Sequence, residues 1–343
     1  MSHHPSPFII PIFLNHLGCP HRCIFCNQIP ITGTSSPALS RPTESVAAEI
    51  SAWLERSRQT PRKTQVAFYG GSFTGLPFDL QRQYLEAVQP FIKSGHVDEI
   101  RLSTRPDYIS PTTPEFLRNF GVTIIELGVQ SMSQNVLNQS QRGHSVNQIK
   151  QALSILKSCG ITTGAQIMIG LPGESTITTV SGAKSLAQLQ PDFVRIYPTL
   201  VIKGSGLEQL YHSGRYHPLS LNKAVTLTAR LTQIFAEKDI AVIRAGLQSN
   251  LELEAHLIAG PYHPAFGELV KARRLFHEVR RKLHDYRNRP CRITIAIQDQ
   301  SLLTGNKEEN LLRLKRLGLL DHATIIFKDL GGQRGKVLME EVD

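Results

Sequence analysis

The 343-residue sequence predicts an α/β fold, in which a partial parallel (β/α)6 barrel is followed by a small C-terminal α+β domain. Short β-type runs alternate with helix-length segments through the first two thirds of the chain, which is typical of βαβ units around a parallel sheet. Glycine-rich turns follow several of these runs, and the regular alternation of strands and helices ends after about Gly246. The six predicted strands are Phe8–Leu14, Gln65–Tyr69, Glu99–Ser103, Thr123–Leu127, Thr163–Ile169 and Phe193–Tyr197. We therefore expect residues 1–246 to form the barrel and residues 247–343 to form the small domain.

Helix signals separate the predicted strands. The predicted helices are Thr43–Arg58, which begins with a threonine N-cap, Leu80–Lys93, which follows a proline, and Val146–Ser158, which ends before a glycine. In the C-terminal part the pattern predicts a basic helix over about 266–286, a strand over Arg292–Ile297, a helix over Lys307–Leu317 and a strand over Ala323–Phe327. The segment Thr32–Pro42 is rich in Ser, Thr and Pro, and it is predicted to be a loop.

Composition excludes several classes of protein. The chain is 41% hydrophobic and 19% charged, which is ordinary for a globular protein. It has no run of about 18 apolar residues, and no basic residue precedes the first apolar stretch, so we predict neither a membrane span nor a signal peptide. Three of the five cysteines fall within eight residues, and a disulfide scaffold would leave an odd thiol. We therefore expect a cytoplasmic protein.

The net charge of +10 is concentrated in one stretch. The stretch from Lys271 to Arg292 contains nine Lys or Arg residues and only two acidic residues. The stretch reads as an amphipathic helix with an apolar stripe of Ala272, Leu275, Phe276, Val279 and Leu283, which is expected to dock on the barrel. The other faces carry Arg273, Arg274, Arg280, Arg281 and Lys282. Such a face is either simply solvated or contacts nucleic acid.

Three cysteines follow the first predicted strand at the spacing CxxxCxxC. Cys19, Cys23 and Cys26 can wrap three thiolates round one iron–sulfur centre while leaving one iron without a protein ligand. The alternative is a structural zinc site completed by His16 or His21, because zinc accepts Cys and His ligands at similar spacings. Zinc ribbons normally bring a second CxxC pair, and this sequence has none.

Several motifs downstream of the cysteines carry glycine or polar residues at the ends of predicted strands. In order, they are Gly70-Gly71-Ser72, Ser103–Tyr108, Ile125–Ser131, Arg142-Gly143-His144, Gly170–Glu174 and Arg195–Gly204. Glycine lets a ligand approach bare backbone, and parallel α/β folds place ligand sites at these strand ends. Gln130 and Gln166 lie near the ends of otherwise apolar runs, where an unpaired buried amide costs about 1–3 kcal/mol, so they are candidate ligand contacts. Gly170, in the last glycine-rich turn, is a further candidate.

These motifs resemble the radical S-adenosylmethionine (SAM) superfamily, and in particular the radical SAM domain of the Elongator catalytic subunit. The resemblance implies that Cys19, Cys23 and Cys26 hold a 4Fe-4S cluster whose fourth iron is chelated by SAM. It implies that Phe25 approaches the adenine of SAM, and that the turn Gly70-Gly71-Ser72 receives its amino group. Arg142 is then a candidate for the SAM carboxylate, or else a surface arginine. A flavodoxin- or ferredoxin-type electron donor and a tRNA substrate are also implied.

Two features depart from the Elongator pattern. The cysteines of that subunit are spaced more widely, and after Gly246 we find no acetyl-CoA site, so acetyl-CoA-dependent carboxymethylation of tRNA is not carried over. Two alternatives stay open: a radical SAM enzyme that acts on a small molecule, and a zinc-stabilised RNA-binding protein without catalysis. For Arg105, Asp107 and Glu126 the sequence leaves both a structural role and a site role open.

Overall fold

The computed structural model describes residues 7–20, 22–33, 42–56, 62–286, 289–305 and 308–342. Its strands are β1 (Phe8–Phe13), β2 (Thr64–Tyr69), β3 (Glu99–Thr104), β4 (Val122–Gln130), β5 (Thr162–Ile169), β6 (Phe193–Pro198), β7 (Val201–Ile202), β8 (Ala241–Ala245), β9 (Leu257–Ala259), β10 (Cys291–Ala296), β11 (Ala323–Lys328) and β12 (Val337–Glu341). Its helices are α1 (Gln28–Thr32), α2 (Thr43–Arg56), α3 (Phe78–Glu86), α4 (Gln89–Lys93), α5 (Thr113–Asn119), α6 (Gln134–Gln139), α7 (Val146–Ser158), α8 (Thr176–Gln188), α9 (Gly206–His212), α10 (Leu221–Ala236), α11 (Leu251–His256), α12 (Phe266–Asp285), α13 (Gln300–Thr304) and α14 (Glu309–Arg316).

One seven-stranded sheet forms the barrel part of the molecule. Its strand order is β1-β2-β3-β4-β5-β6-β8, and every neighbouring pair is parallel. The partial parallel barrel predicted from the sequence is confirmed, and β8 adds a seventh strand beside β6. The sequence AVIRA of β8 is short and carries two alanines and an arginine, so the strand signal at this position is weak.

The large hydrophobic core lies between the outer face of this sheet and the helices. In β3 the side chains of Ile100 and Leu102 belong to that core, whereas Arg101 between them points to the opposite face. Helix α7 contributes Ile149 and Leu153 to the same core. The inner face of the sheet is consequently free to carry polar groups, and the candidate functional site lies there.

Most predicted helices are present, with shifted ends. Helix α7 has the predicted bounds, because Ser145 caps its first turn and exchanges hydrogen bonds with Gln148 in a capping box. The predicted helix Leu80–Lys93 is split into α3 and α4, and it begins two residues earlier than predicted. The last two residues predicted for α2, and most of the predicted loop at 32–42, lie outside the described residues.

The C-terminal part contains a three-stranded sheet in the order β11-β10-β12 and the long helix α12. Phe266 and Val270 of α12 join the barrel core, whereas Leu275, Phe276 and Val279 join a second core with this small sheet. The prediction that the apolar stripe docks on the barrel is therefore wrong: Leu275, Phe276, Val279 and Leu283 of the stripe pack in the second core, because a 20-residue helix spans about 30 Å and extends past the barrel. No helix among the described residues has the length and apolarity needed to cross a membrane.

Candidate functional site

The loop that carries the three cysteines is attached to the turn after β2 by backbone hydrogen bonds. The N–H of Leu14 donates to the Tyr69 carbonyl at 2.7 Å, and the N–H of His16 donates to the Gly70 carbonyl at 2.9 Å. One residue further along, the Ser72 N–H donates to the Leu17 carbonyl at 2.8 Å. The parallel pairing of β1 with β2 therefore continues beyond the strands, and it fixes where the cysteine loop begins.

Close backbone approach explains why the turn after β2 contains Gly71. A Cβ atom at this position would lie 2.4 Å from the Leu17 carbonyl oxygen and 2.5 Å from that of Leu14. Gly18 has the reciprocal constraint, since its Cβ would lie 2.1 Å from the Ser72 carbonyl oxygen. The glycines of this turn thus let the cysteine loop pack on the turn, which is a structural reason beside the ligand contact predicted from the sequence.

All three thiols of the motif line one cavity of about 130 Å³ at the carboxyl ends of the strands. Its described lining residues are His16, Cys19, Arg22, Cys23, Phe25, Cys26, Gln28, Gly70, Gly71, Ser103, Thr104, Arg105, Glu126, Gly128, Gln130, Arg142 and Gln166. Nine of the eleven site residues predicted from the sequence are in this set. We call this space the thiol cavity.

Nitrogen donors contact two of the sulfur atoms. Arg142 Nη1 donates to Cys23 Sγ at 3.3 Å, and Gln28 Nε2 donates to Cys26 Sγ at 3.3 Å. Burial raises the pKa of Cys19, and Arg142 partly offsets this increase. Burial also raises the pKa of Cys26 to about 12. The raised pKa values keep the Cys19 and Cys26 thiols protonated in the metal-free protein, and binding of a metal centre would release those two protons.

The donor set fits an iron–sulfur cluster. Thiolates are the protein ligands of such clusters, and N–H groups directed at the sulfurs adjust the reduction potential of the cluster. Among the described residues, no group of three or more His, Cys, Asp or Glu side chains is already arranged around a single metal position. His16, one proposed zinc ligand, accepts a hydrogen bond at Nε2 from the Gln28 N–H at 3.1 Å. The other, His21, lies outside the described residues.

The two glutamines singled out from the sequence lie together in the thiol cavity. Gln166 Nε2 donates to Gln130 Oε1 at 3.4 Å. A register shift between Gly128 and Gln130 interrupts the pairing of β4 with β5, and Gln130 has a left-handed φ of 64°. A non-glycine residue in this conformation at the end of a strand is a form of backbone strain that clusters at functional sites. Their role as ligand contacts stays a prediction.

Two predicted site residues, Ser72 and Gly170, are not among the described residues that line the cavity. Ser72 Oγ lies 3.0 Å from Thr104 Oγ1 and accepts the Arg105 N–H at 3.2 Å, so it ties two strand ends together. The carbonyl of Gly170 accepts the Tyr216 hydroxyl at 2.6 Å, and its N–H donates to Glu174 at 2.7 Å. The polar groups of both residues thus have partners within the protein.

A larger cavity of about 580 Å³ adjoins the thiol cavity inside the barrel, and we call it the chamber. It is lined by the inner faces of β1, β2 and β6, by β8 and by the loop Leu247–Asn250. The two cavities share Phe25, Cys26, Gln28, Ser103, Glu126 and Gln166. The volume of the chamber lies within the range that is usual for small-molecule binding sites.

A buried carboxylate lies at the wall between the two cavities. Glu126 accepts hydrogen bonds from Arg101 Nη2 at 2.5 Å and from the Tyr69 hydroxyl at 3.0 Å, and it pairs with Arg195 Nε at 2.6 Å. Burial raises the pKa of Tyr69, and the charge of Glu126 adds to this increase. The sequence left both a structural role and a site role open for Glu126, and the structure places it in the lining of both cavities. Its partner Arg101 was not predicted from the sequence. The available signal was the position of Arg101 between two apolar residues of β3, Ile100 and Leu102, which places it on the opposite face of the sheet.

Arg105 and Asp107 form an ion pair with each other, and Arg105 also lies at the candidate site. Arg105 Nε and Nη2 donate to the two carboxylate oxygens of Asp107 at 3.0 and 2.8 Å. Arg105 also lines the thiol cavity, and its Nη1 is buried without a hydrogen-bond partner among the described residues. A buried guanidinium N–H without a partner is costly, so this atom is available to an anionic group of a ligand.

Comparison with protein-family models matches most of the chain. The model of the radical SAM superfamily matches residues 16–178, and the model of the radical SAM C-terminal domain matches residues 191–275. An uncharacterised protein of Methanocaldococcus jannaschii is 32% identical over 231 residues, which are 64% of this chain and 69% of that protein.

Two relatives with assigned functions match over part of their length. Elongator complex protein 3 of Saccharomyces cerevisiae is 30% identical over 190 residues, which are 49% of this chain and 34% of that protein. The tRNA uridine(34) acetyltransferase of Dehalococcoides mccartyi is 24% identical over 283 residues, which are 71% of this chain and 61% of that protein. The chain thus spans less than two thirds of either relative. The predicted resemblance to the Elongator catalytic subunit is confirmed.

Among solved structures, the archaeal Elp3 of Methanocaldococcus infernus with an N-terminal deletion has the same fold. The TM-score is 0.62 at 21% sequence identity, and the match covers 81% of this chain and 64% of that chain. At this identity the match concerns the fold, and it agrees with the partial barrel described above.

Proposed function

The chain belongs to the radical SAM superfamily and is a radical SAM enzyme, and we propose that Cys19, Cys23 and Cys26 hold a 4Fe-4S cluster at which SAM is reductively cleaved. The observation that carries this proposal is the convergence of the three thiols on one cavity with N–H donors directed at two of the sulfurs. SAM then lies across the strand ends, beside Phe25 and the turn after β2. Among the described residues that line the thiol cavity, Arg105 and Arg142 are the buried cations available to its carboxylate.

When bound, the cluster and SAM would together supply the radical chemistry, namely reductive cleavage of SAM with an electron from an external flavodoxin- or ferredoxin-type donor and hydrogen abstraction from the substrate. The protein contributes binding, orientation and exclusion of competing reactions. Phe25, Glu126 and Gln166 line both the thiol cavity and the chamber, so a substrate held in the chamber would have its reacting atom beside these shared residues, next to the thiol cavity.

Anaerobic reconstitution tests the cluster directly. We expect the parent protein to bind close to four irons per chain and to become brown, because thiolate-to-iron charge transfer absorbs visible light. The variants Cys19→Ala, Cys23→Ala and Cys26→Ala should each lose the cluster. Cys159→Ala is the matched control, since this free cysteine lies at the end of α7 and outside the thiol cavity. A colourless parent that binds one zinc ion would overturn the assignment.

We further propose tRNA as the substrate, because one relative is a tRNA uridine(34) acetyltransferase and because α12 carries a basic surface. Arg280 and Arg281 are exposed on α12. Arg273 of the same helix instead donates to Thr226 Oγ1 at 2.5 Å and to Asn222 Oδ1 at 2.8 Å on α10. Arg273 therefore holds α12 on the barrel, and the exposed pair is the better candidate for phosphate contacts.

The salt dependence of tRNA binding tests this surface. Each phosphate contact releases condensed counterions, so Arg280→Gln combined with Arg281→Gln should weaken binding and reduce the slope of log K against log salt by about 2. Arg273→Gln should lower stability and leave the slope close to the parent value. Absence of tRNA binding by the parent even at low salt would remove the tRNA proposal and leave a small-molecule substrate.

A further inference from the structure

The chamber contains more positive than negative charge. Glu126 is the one acidic side chain among the described residues that line it, and its carboxylate already pairs with Arg101 and Arg195. Arg244 on β8 also lines the chamber. Its Nε donates to the Gly246 carbonyl at 3.3 Å, and no ion pair joins it to a carboxylate among the residues that the structure describes. The chamber is therefore lined by two guanidiniums, those of Arg195 and Arg244, and by one carboxylate, which is already paired with Arg195 and with Arg101.

A β-bulge directs Arg244 into the chamber. Val194 pairs with Val242 in the parallel register of β6 and β8, but the next residue, Arg195, pairs with Arg244, so Ile243 is the extra residue. Register partners point to the same face of a sheet, and Arg244 therefore shares the inner face with Arg195. Without the bulge Arg244 would point to the outer, apolar face. Bulges that redirect a side chain are found beside active sites.

We infer that Arg244, with Arg195 beside it, forms a binding subsite for an anionic group of the substrate, a phosphate or a carboxylate. Glu126 compensates the charge of Arg195, whereas Arg244 pairs with no carboxylate among the described residues, so a bound anion would compensate the charge of Arg244. A guanidinium holds either kind of oxyanion by paired N–H donors, which a lysine cannot reproduce. The inference deepens the proposed function, because it names a chemical property of the substrate that the chamber accepts.

The single tryptophan of the chain provides a reporter for this subsite. Trp53 lines the chamber, where its ring packs edge-on against Phe8 with the ring centroids 6.3 Å apart. Its fluorescence should therefore respond to a ligand in the chamber. The probes are two matched pairs measured at constant ionic strength: uridine 5′-monophosphate against uridine, and propionate against propionamide. Titration calorimetry of the same four compounds covers the case in which Trp53 does not respond.

We expect one of the two anions to bind at least tenfold more tightly than its neutral partner, and the pair that shows this difference identifies a phosphate or a carboxylate source. Arg244→Gln should weaken the binding of that anion by about tenfold, which corresponds to about 1.4 kcal/mol. Arg244→Lys keeps the charge and should give an intermediate affinity. Arg230→Gln is the control, since it makes the same substitution at an exposed position on α10. Anions that bind no better than their neutral partners, or equally well to Arg244→Gln, would overturn the inference.

The result is separable from the proposed radical chemistry. Binding is measured both with the cluster-loaded enzyme and with the metal-free Cys23→Ala variant, because neither fluorescence nor calorimetry needs the cluster. Anion binding through Arg244 in a protein that never cleaves SAM would contradict the proposed function and keep the subsite. SAM cleavage in a protein whose chamber does not prefer anions would support the proposed function and contradict the anion subsite.

Discussion

Arg142 donates one guanidinium N–H to Cys23 Sγ at 3.3 Å, although 118 residues lie between them in the sequence. Its Nη2 also donates to the Gly128 carbonyl at 2.8 Å, and its Nε is buried without a partner among the described residues. The guanidinium thus joins the end of β4 to the cysteine loop. It contacts a proposed cluster ligand directly, and this contact leads to the first prediction.

Replacing Arg142 by Gln should lower the reduction potential of the reconstituted cluster. N–H donors to a ligating sulfur stabilise the reduced, more negative cluster, so their loss shifts the potential downwards. We expect a shift on the order of 50 mV, since about 59 mV is a tenfold change for a one-electron couple. A redox titration followed by electron paramagnetic resonance measures it, with Arg118→Gln on the exposed side of α5 as control. An unchanged potential would show that Arg142 has no influence on the cluster.

Gly71→Ala should reduce iron retention as well as SAM binding. The added methyl group would meet the backbone carbonyls of Leu14 and Leu17 at 2.5 and 2.4 Å, so the cysteine loop must move away from the turn. Gly182→Ala on α8 is the matched control, because its Cβ would have ordinary contact with Met132 at 3.4 Å. Iron content after reconstitution and SAM affinity by equilibrium dialysis are compared. Normal iron content with weakened SAM binding would instead support the direct ligand role expected from the sequence.

Glu126→Gln should strongly destabilise the fold. The carboxylate is 4% exposed and compensates the buried guanidinium of Arg101, which is also 4% exposed. Removing one partner of a buried ion pair costs about 3–5 kcal/mol, because the remaining charge is left without compensation. Urea unfolding gives the change in free energy, and Glu86→Gln at an exposed position of α3 should change it by less than about 0.5 kcal/mol. A Glu126→Gln change as small as that of the control would contradict this account of the network.

Glu174 should make stability depend on pH. Burial raises its pKa to about 7 from an ordinary value of 4.5, although its carboxylate accepts the N–H groups of Gly170 and Leu171. The native state then binds more protons than the unfolded state between these two values, so stability falls as the pH rises from 4.5 to about 7. Glu174→Gln should remove this part of the decline. Urea unfolding at several pH values measures it, and the same decline in parent and variant would argue against a raised pKa at Glu174.

The features that could be predicted from the sequence are those determined by local spacing. The CxxxCxxC motif and the alternation of strands and helices led to the partial barrel and to a set of residues that largely shares one cavity. The position of Arg244 depends on a bulge in β8, and a shift of one residue reverses which face a side chain occupies. The Glu126 network joins residues from β2, β3, β4 and β6. The alternation around Arg101 indicates its face of the sheet, but the partners in both arrangements come from the pairing of distant strands, for which there is no local sequence signal.

Formation of 5′-deoxyadenosine from SAM under anaerobic reduction by dithionite is the most direct test of the proposed chemistry. The reconstituted parent protein and the Cys159→Ala control should form it at similar rates. Cys19→Ala, Cys23→Ala and Cys26→Ala should each reduce its formation to the background seen without protein, because each removes one of the three proposed cluster ligands. Formation at the parent rate by any of these three variants would contradict the account.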